Sequence, residues 1–313
     1  MYKILAWLLA LPLYLLSLLP LRVHYLFADI LSWLLRDVFK YRRDVIETNL
    51  EGAFPRMGGP ERAKIARDYY SWLGDLVVEI IWSLTRSGEH IRRRGFYRID
   101  ADSERVLNRA YESGRSVMAL LAHTGNWELA SNVPCYMAQP AFGRKDMTVA
   151  YQQPHSRLAD ELFLILRRAR LHSPDSIVAS HKVLRFMLEK KNERRVYFFL
   201  SDQYPIMGAP RANTFLGLET QWTLGGEAIA RKMALPVLYI YLDREKRGRY
   251  VIKISQICSD ASQMAPGEIT DAYAAALERD ILSRKYNWLW SHRRWKNLWP
   301  YNCRKEKKQT DEI

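Results

Sequence analysis

The stretch Val117-Met118-Ala119-Leu120-Leu121-Ala122-His123-Thr124-Gly125-Asn126-Trp127-Glu128 decides how this chain is read. Its first six residues form an apolar run of the kind that makes a strand buried on both faces, as in a parallel sheet. The run ends on a histidine. Gly125 then permits close approach to the backbone, and Glu128 stands five positions after His123. Loops at the C-terminal ends of strands are where open α/β sheets gather their chemistry. An imidazole held by a carboxylate is a general base.

Spacing does not carry this reading unaided, since chance predicts roughly one His-x4-acid match in a chain of this composition. The chain contains His24/Asp29, His123/Glu128 and His155/Asp160. Within a continuous helix, residues five apart are displaced by about 140° around the axis and do not meet. The apolar stretch around His24 and the run from Ser156 to Arg170 both read as helical, so those two pairs are set aside. His123 instead stands at a strand-to-helix junction, where its ring can turn back toward Glu128. The structural alternative is a capping histidine beside a surface glutamate.

The wider pattern supports a sheet. Apolar segments at about 116–122, 147–152, 195–201, 236–242 and 250–257 read as strands, and helical patterns at about 102–113, 126–138, 156–170, 180–191 and 222–234 separate most of them. This alternation predicts an α/β fold, a mostly parallel mixed sheet flanked by helices. Lys246-Arg247-Gly248-Arg249 reads as a hairpin turn, so one antiparallel pair is expected. A helix from Pro60 to about Arg86 presents Tyr69, Trp72, Leu73, Leu76, Val77, Ile80 and Ile81 at helical spacing, as a packing face.

At the N-terminus, residues 4–21 are apolar or small except Tyr14 and Ser17, and a second apolar stretch covers 23–35. The first run has the length of a membrane-anchor helix. A signal peptide would need a small-x-small cleavage site, and the hydrophobic pattern resumes instead. Pro12 and Pro20 leave a long interfacial hairpin as the alternative. The basic cluster Arg36, Lys40, Arg42 and Arg43 places the following domain on the cytoplasmic side of the membrane. The expected organisation is therefore an anchor with its basic flank at 1–45, an α/β domain at 46–303 entered through the turn-like Asn49-Leu50-Glu51-Gly52-Ala53-Phe54-Pro55, and a charged tail at 304–313.

The 313 residues carry a formal net charge of +14, which calls for an acidic partner: nucleic acid, anionic lipid or an acidic carrier protein. The three cysteines are widely spaced and indicate neither a disulfide framework nor a zinc site. No P-loop, dinucleotide fingerprint, HExxH or Gly-x-Ser-x-Gly elbow occurs. The expectation is thus chemistry without cofactor or metal, in which the substrate supplies the nucleophile. Two further polar blocks stand out. Ser201-Asp202-Gln203 follows a strand, and a long loop with Pro205, Gly208 and Pro210, of the kind that shapes a binding cleft, then leads to Thr214-Phe215-Leu216-Gly217. Trp288-Leu289-Trp290-Ser291-His292-Arg293-Arg294-Trp295-Lys296-Asn297-Leu298-Trp299 has the composition of a lipid–water interface, or of a nucleic-acid surface. The hydrophobic N-terminus favours lipid.

Taken in order, the blocks Ala122 to Glu128, Tyr151 with Pro154 and Asp160, Ser201 to Gln203, Thr214 to Gly217 and Trp288 to Lys296 resemble the bacterial lipid A biosynthesis acyltransferases. This late lauroyl/myristoyl family is related to the glycerolipid acyltransferases, and the resemblance extends from the N-terminal segment to the tryptophan-rich end. One position departs: the family usually has an arginine after the middle tyrosine, where this chain has Gln152. The resemblance implies a glycerolipid-acyltransferase-like sheet, and acyl transfer from an acyl-carrier-protein thioester to a hydroxyl of an anionic lipid A precursor at the bacterial inner membrane. His123 would take the hydroxyl proton while Glu128 fixes its tautomer and stabilises the imidazolium. The oxyanion would be met by backbone N–H groups around Gly125 and Asn126 or by a basic side chain. Asn126, Trp127, Tyr151, Asp202 and Gln203 are the implied substrate contacts, and Arg293 and Arg294 would meet acceptor phosphates. Coenzyme A as donor, a different glycolipid or aminolipid acceptor, a noncatalytic lipid-binding protein and a nucleic-acid binder are the alternatives.

Overall fold

The computed structural model describes residues 2–168, 173–205 and 211–299. The expected charged tail at 304–313 and most of the loop after Pro205 lie outside the described residues.

The chain begins with four helices: α1 (Tyr2–Ser17), α2 (Leu21–Trp33, continued as a π-helical turn over Leu34–Val38), α3 (Arg43–Ala53) and α4 (Gly59–Trp82). After α5 (Gly88–Arg93) come β1 (Tyr97–Ile99), α6 (Ala101–Glu112), β2 (Val117–Leu121), a 3-10 turn (Trp127–Asn132) running into α7 (Val133–Tyr136), β3 (Met147–Tyr151), α8 (Arg157–Arg168) and β4 (Ile177–Ala179). The remainder is α9 (Val183–Glu189), β5 (Val196–Leu200), β6 (Arg211–Phe215), β7 (Leu218–Trp222), α10 (Gly225–Lys232), β8 (Val237–Lys246), β9 (Arg249–Cys258) and α11 (Glu268–Ser283). Seven strands form one sheet in the order β1-β9-β8-β2-β5-β3-β4. Every neighbouring pair is parallel except β8–β9, which turns at Gly248.

The sheet divides two cores. Along β2, Val117, Ala119 and Leu121 pack with Trp82, Phe96, Leu107 and Ile240, whereas Met118, Leu120 and Ala122 pack with Trp72, Tyr239, Tyr273 and Trp288. The period of 2 is thus present in a strand whose sequence shows no alternation, because both faces are covered. The cleft-shaping loop expected around Pro205, Gly208 and Pro210 falls mostly outside the described residues, and the Thr214–Gly217 block that follows it forms the tight end of the β6–β7 hairpin, with Leu216 and Gly217 at positive φ and Phe215 in the core.

The N-terminus departs from the expected single anchor helix. The apolar run breaks at Leu18–Pro20, because proline lacks an N–H and disfavours helical geometry in the residue before it. The resulting α1 and α2 diverge by 119°, and among the described residues no single helix is long and apolar enough to cross a membrane. They dock by small residues. Ala6 and Ala10 of α1 are buried, and Ala28 and Ser32 of α2 sit against Gly74 of α4, where an added Cβ would clash with Ser32 Oγ and the Ala28 carbonyl. The larger residues face outward, among them Ile4, Leu8, Leu15, Leu26, Phe27, Ile30 and Trp33.

The Asn49–Pro55 segment is also not an independent hinge. Most of it is the end of α3, and the Asn49 amide donates to the carbonyls of Trp290 and His292, both at 2.8 Å. A boundary at residue 45 therefore falls inside a helix that packs against the C-terminal segment.

Candidate active site

β2 and β5 run side by side with Leu121 paired to Leu200. Continuing that register two residues beyond each strand brings His123 opposite Asp202. The Asp202 carboxylate receives His123 Nδ1 at 2.6 Å on Oδ1, and on Oδ2 the His123 backbone N–H at 3.0 Å and the Trp288 indole N–H at 2.8 Å. Burial pushes the Asp202 carboxyl upward, yet the charge of His123 and these three hydrogen bonds outweigh it and hold the group at about 2. A carboxylate can only accept, so Nδ1 carries the proton and Nε2 keeps its lone pair. The Gln203 amide nitrogen lies 3.3 Å from Nε2 and donates to it.

The contact with the His123 ring expected of Glu128 is thus made by Asp202. Glu128 is engaged instead by Arg167, whose Nε and a terminal nitrogen reach its two oxygens at 3.0 and 2.6 Å. The 3-10 turn that begins at Trp127 brings Glu128 to α8. The Arg167 guanidinium also lies over the rings of Tyr151 and Phe163. This ion pair borders an apolar pocket at the C-terminal ends of β2, β3 and β5, lined by Leu121, Trp127, Val149, Tyr151, Phe198 and Leu200 among others. Trp127 links the pocket to the base, with its ring centroid 5.0 Å from that of His123.

The loop between base and pocket is clamped on every side. Gly125 has φ +54°, and a Cβ there would stand 2.6 Å from the Leu242 carbonyl, so a side chain is excluded both by conformation and by space. Its N–H donates to Asn287 Oδ1 at 3.0 Å, and its carbonyl accepts from the Trp72 indole at 3.2 Å. The expected oxyanion donor at Gly125 is thus already committed. Asn126 is fully buried; its amide donates to Glu79 and its carbonyl accepts from Tyr97. It is a strut of the loop and presents no surface to a substrate.

The tryptophan-rich segment is likewise interior. Trp288, Trp290 and Trp295 are buried, and Arg294 is 0 % exposed with its guanidinium 4.4 Å from the Trp222 ring centroid. An interfacial belt and an acceptor-phosphate contact at Arg294 are both overturned by this burial. Arg293 is half-buried. Burial also pushes His292 down to about 4 and so keeps it neutral. The two histidines set aside above have separate surroundings: His24 Nδ1 bonds the Pro20 carbonyl, and Asp160 accepts from Gln153 and Tyr151. Gln152, the position that departs from the family, accepts a hydrogen bond from Ser180.

Sequence reasoning misses two residues here. Arg167 looks like one more cation on an amphipathic helix, and nothing local marks it as the partner of Glu128. Trp288 carries a signal only in combination with β2 and β5, since its indole is the group that fixes Asp202.

No curated protein matches the chain. Among solved structures, the 1-acyl-sn-glycerophosphate (LPA) acyltransferase PlsC from Thermotoga maritima aligns at 14 % identity over 91 % of this chain and 99 % of that one, with a TM-score of 0.37. The model of the bacterial lipid A biosynthesis acyltransferases matches residues 1–297, and the chain belongs to that family.

Proposed function

We propose that this acyltransferase moves a fatty acyl chain from an acyl-carrier-protein thioester to a hydroxyl of a lipid A precursor, with His123 as general base. The observation that carries the reading is the His123 imidazole: its Nδ1 proton rests on the buried Asp202 carboxylate, which leaves the Nε2 lone pair as its basic site, and its ring neighbour Trp127 lines an apolar pocket.

The acceptor hydroxyl displaces the Gln203 amide from Nε2, gives its proton to the ring and attacks the thioester carbonyl. The resulting imidazolium is stabilised by Asp202 and gives that proton to the thiolate leaving group as the intermediate collapses. The first carbons of the acyl chain lie in the pocket lined by Leu121, Val149, Phe198 and Leu200, where hydrocarbon is removed from water at about 25 cal/mol per Å². Arg167 and Glu128 stand at its border, and the guanidinium is a candidate to meet charge that develops on the carbonyl oxygen. The outward apolar residues of α1 and α2, next to the basic cluster at Arg36 to Arg43, suit a protein held on the cytoplasmic face of the inner membrane. The charge of +14 suits an acidic carrier.

Incubating purified protein with a series of acyl-carrier-protein and coenzyme A thioesters and a total lipid extract, then reading product masses, tests this. The expected outcome is a mass gain of one acyl group on a lipid A precursor from carrier-protein donors. His123→Ala is expected to lower kcat by at least about two orders of magnitude with the fold intact. Near-wild-type turnover in that variant ends the assignment, and an acylated product of another lipid class redirects it.

A further inference from the structure

Beneath the His123 loop lies a buried carboxylate for which the reaction has no direct use. Glu79 projects from α4 and is fully buried. Its Oε1 accepts from the Tyr25 hydroxyl at 3.0 Å, and its Oε2 from the Tyr250 hydroxyl at 2.7 Å and from Asn126 Nδ2 at 3.1 Å. Burial pushes its carboxyl up to about 7 against the pull of Tyr250, Arg244 and Asn126. A carboxylate so placed is a costly way to fill a core, and what it supplies is directional specificity.

That specificity acts on Asn126. Among the described residues the buried amide oxygen of Asn126 has no hydrogen-bond partner, so the bond to Glu79 is what orients the side chain. The 3.1 Å bond to Glu79 Oε2 holds the NH2 group of Asn126 inward. Asn126 in turn holds the turn between His123 and Trp127.

Glu79 also reaches the other way, to α2. One helical turn earlier, Asp75 pairs with Arg247 at 2.8 Å, and Arg247 pairs in turn with Asp29 of α2 and lies 4.9 Å from the Tyr25 ring centroid. Two buried acids of α4 thus grip the inner side of α2, whose outer side exposes Leu26, Phe27, Ile30 and Trp33.

We propose that Glu79 is a positioning residue that ties the seating of α2 on α4 to the geometry of the His123 loop, through Tyr25 on one side and Asn126 on the other. This deepens the general-base reading and rests on it. Covering the apolar outer side of α2 presses the helix onto Gly74 and keeps the Tyr25 hydroxyl on Glu79; lifting α2 removes one of three donors and loosens the grip on Asn126.

The test uses the full chain with the donor and acceptor that turn over in wild type, the acceptor presented in phospholipid vesicles. Glu79→Gln is expected to lower kcat by about tenfold or more with both KM values within about twofold, and Asn126→Ala to do the same. If both act through one contact, the double variant is no more than about twofold worse than the worse single variant. Tyr25→Phe is expected to lower kcat about threefold or more with its unfolding temperature kept. Additive losses in the double variant overturn the proposal, and so does wild-type kcat in Tyr25→Phe, which decides alone if Glu79→Gln does not fold. His123→Ala run in parallel separates the two claims. If it is active, the general-base reading has failed; if it is inert while Tyr25→Phe is normal, only the coupling has failed.

Discussion

Asp202 and Glu128 are two carboxylates of one site in opposite circumstances. Asp202 is sealed from water, bound by three donors and held at about 2, whereas Glu128 is partly open and pairs with Arg167 at the border of an apolar pocket. An orienting group must not wander or titrate, and burial with full hydrogen bonding achieves both. A group that serves a substrate must be reachable. The contrast assigns the histidine to the distant acid and the pocket border to the near one.

The sharpest way to break this comparison is Asp202→Asn. Two donors, the His123 backbone N–H and the Trp288 indole, converge on the Oδ2 position, so the amide oxygen must stay there and the new NH2 group must face Nδ1. That places the ring proton on Nε2 and abolishes the base. The expected loss in kcat is about three orders of magnitude, with the fold retained by circular dichroism. The same carboxylate predicts a pH effect on stability. Its folded value lies below the unfolded value of about 3.9, so its stabilisation is complete above that pH and is lost as the pH falls toward about 2. Between those limits the unfolding temperature of wild type is expected to fall more steeply than that of Asp202→Asn.

Glu128→Ala is expected to cost about two orders of magnitude by a different route. It leaves the Arg167 guanidinium without its counter-charge beside apolar surface. Removing that charge as well, in Glu128→Ala/Arg167→Met, should then recover part of the loss. If instead Glu128→Ala is inert, Asp202→Asn is within tenfold of wild type and the double variant recovers nothing, Glu128 is the orienting acid and the comparison is reversed.

Much of the frame is legible in the sequence because buried parallel strands are nearly continuous apolar runs. The five expected strands and the β8–β9 turn at Gly248 all lie where the pattern places them. β1 and β4 are three residues long and too short to carry a pattern, and the apolar run around Pro20 hides a break that depends on backbone geometry. The expected strands and helices leave α11 without a place, although Ala, Leu and Glu dominate it. At the site, His123 is legible from its place after β2. Its partner is not, because the pairing depends on β2 and β5 being neighbours in register, a fact of topology. Two strands each followed by a polar residue at the same offset would have been the usable signal.

A smaller effect on turnover separates packing from recognition in the C-terminal segment. Arg294 is enclosed against Trp222, so Arg294→Ala is expected to destabilise the fold by about 2–4 kcal/mol while the KM values of the folded fraction stay near wild type. Arg294→Lys restores little, since an ammonium does not stack as a planar guanidinium does. A raised acceptor KM with unchanged unfolding temperature would return Arg294 to the acceptor site.

The smallest expected effect belongs to the other pair with the same spacing. His155 is exposed, while Asp160 is buried and accepts from Gln153 Nε2 at 2.7 Å and from the Tyr151 hydroxyl at 3.3 Å. The imidazole at 155 therefore has no structural claim on its acid, and His155→Ala should leave kcat within about twofold and the unfolding temperature unchanged. Asp160→Asn is expected to do more, because it weakens the hold on Tyr151, whose ring lines the pocket beneath Arg167. Its signature should be a raised KM for the acyl donor rather than a loss of kcat, since the base and its carboxylate are untouched. Should His155→Ala prove the inert variant, the strand end after β2 is the wrong place for the base, and with it falls the assignment of Asp202.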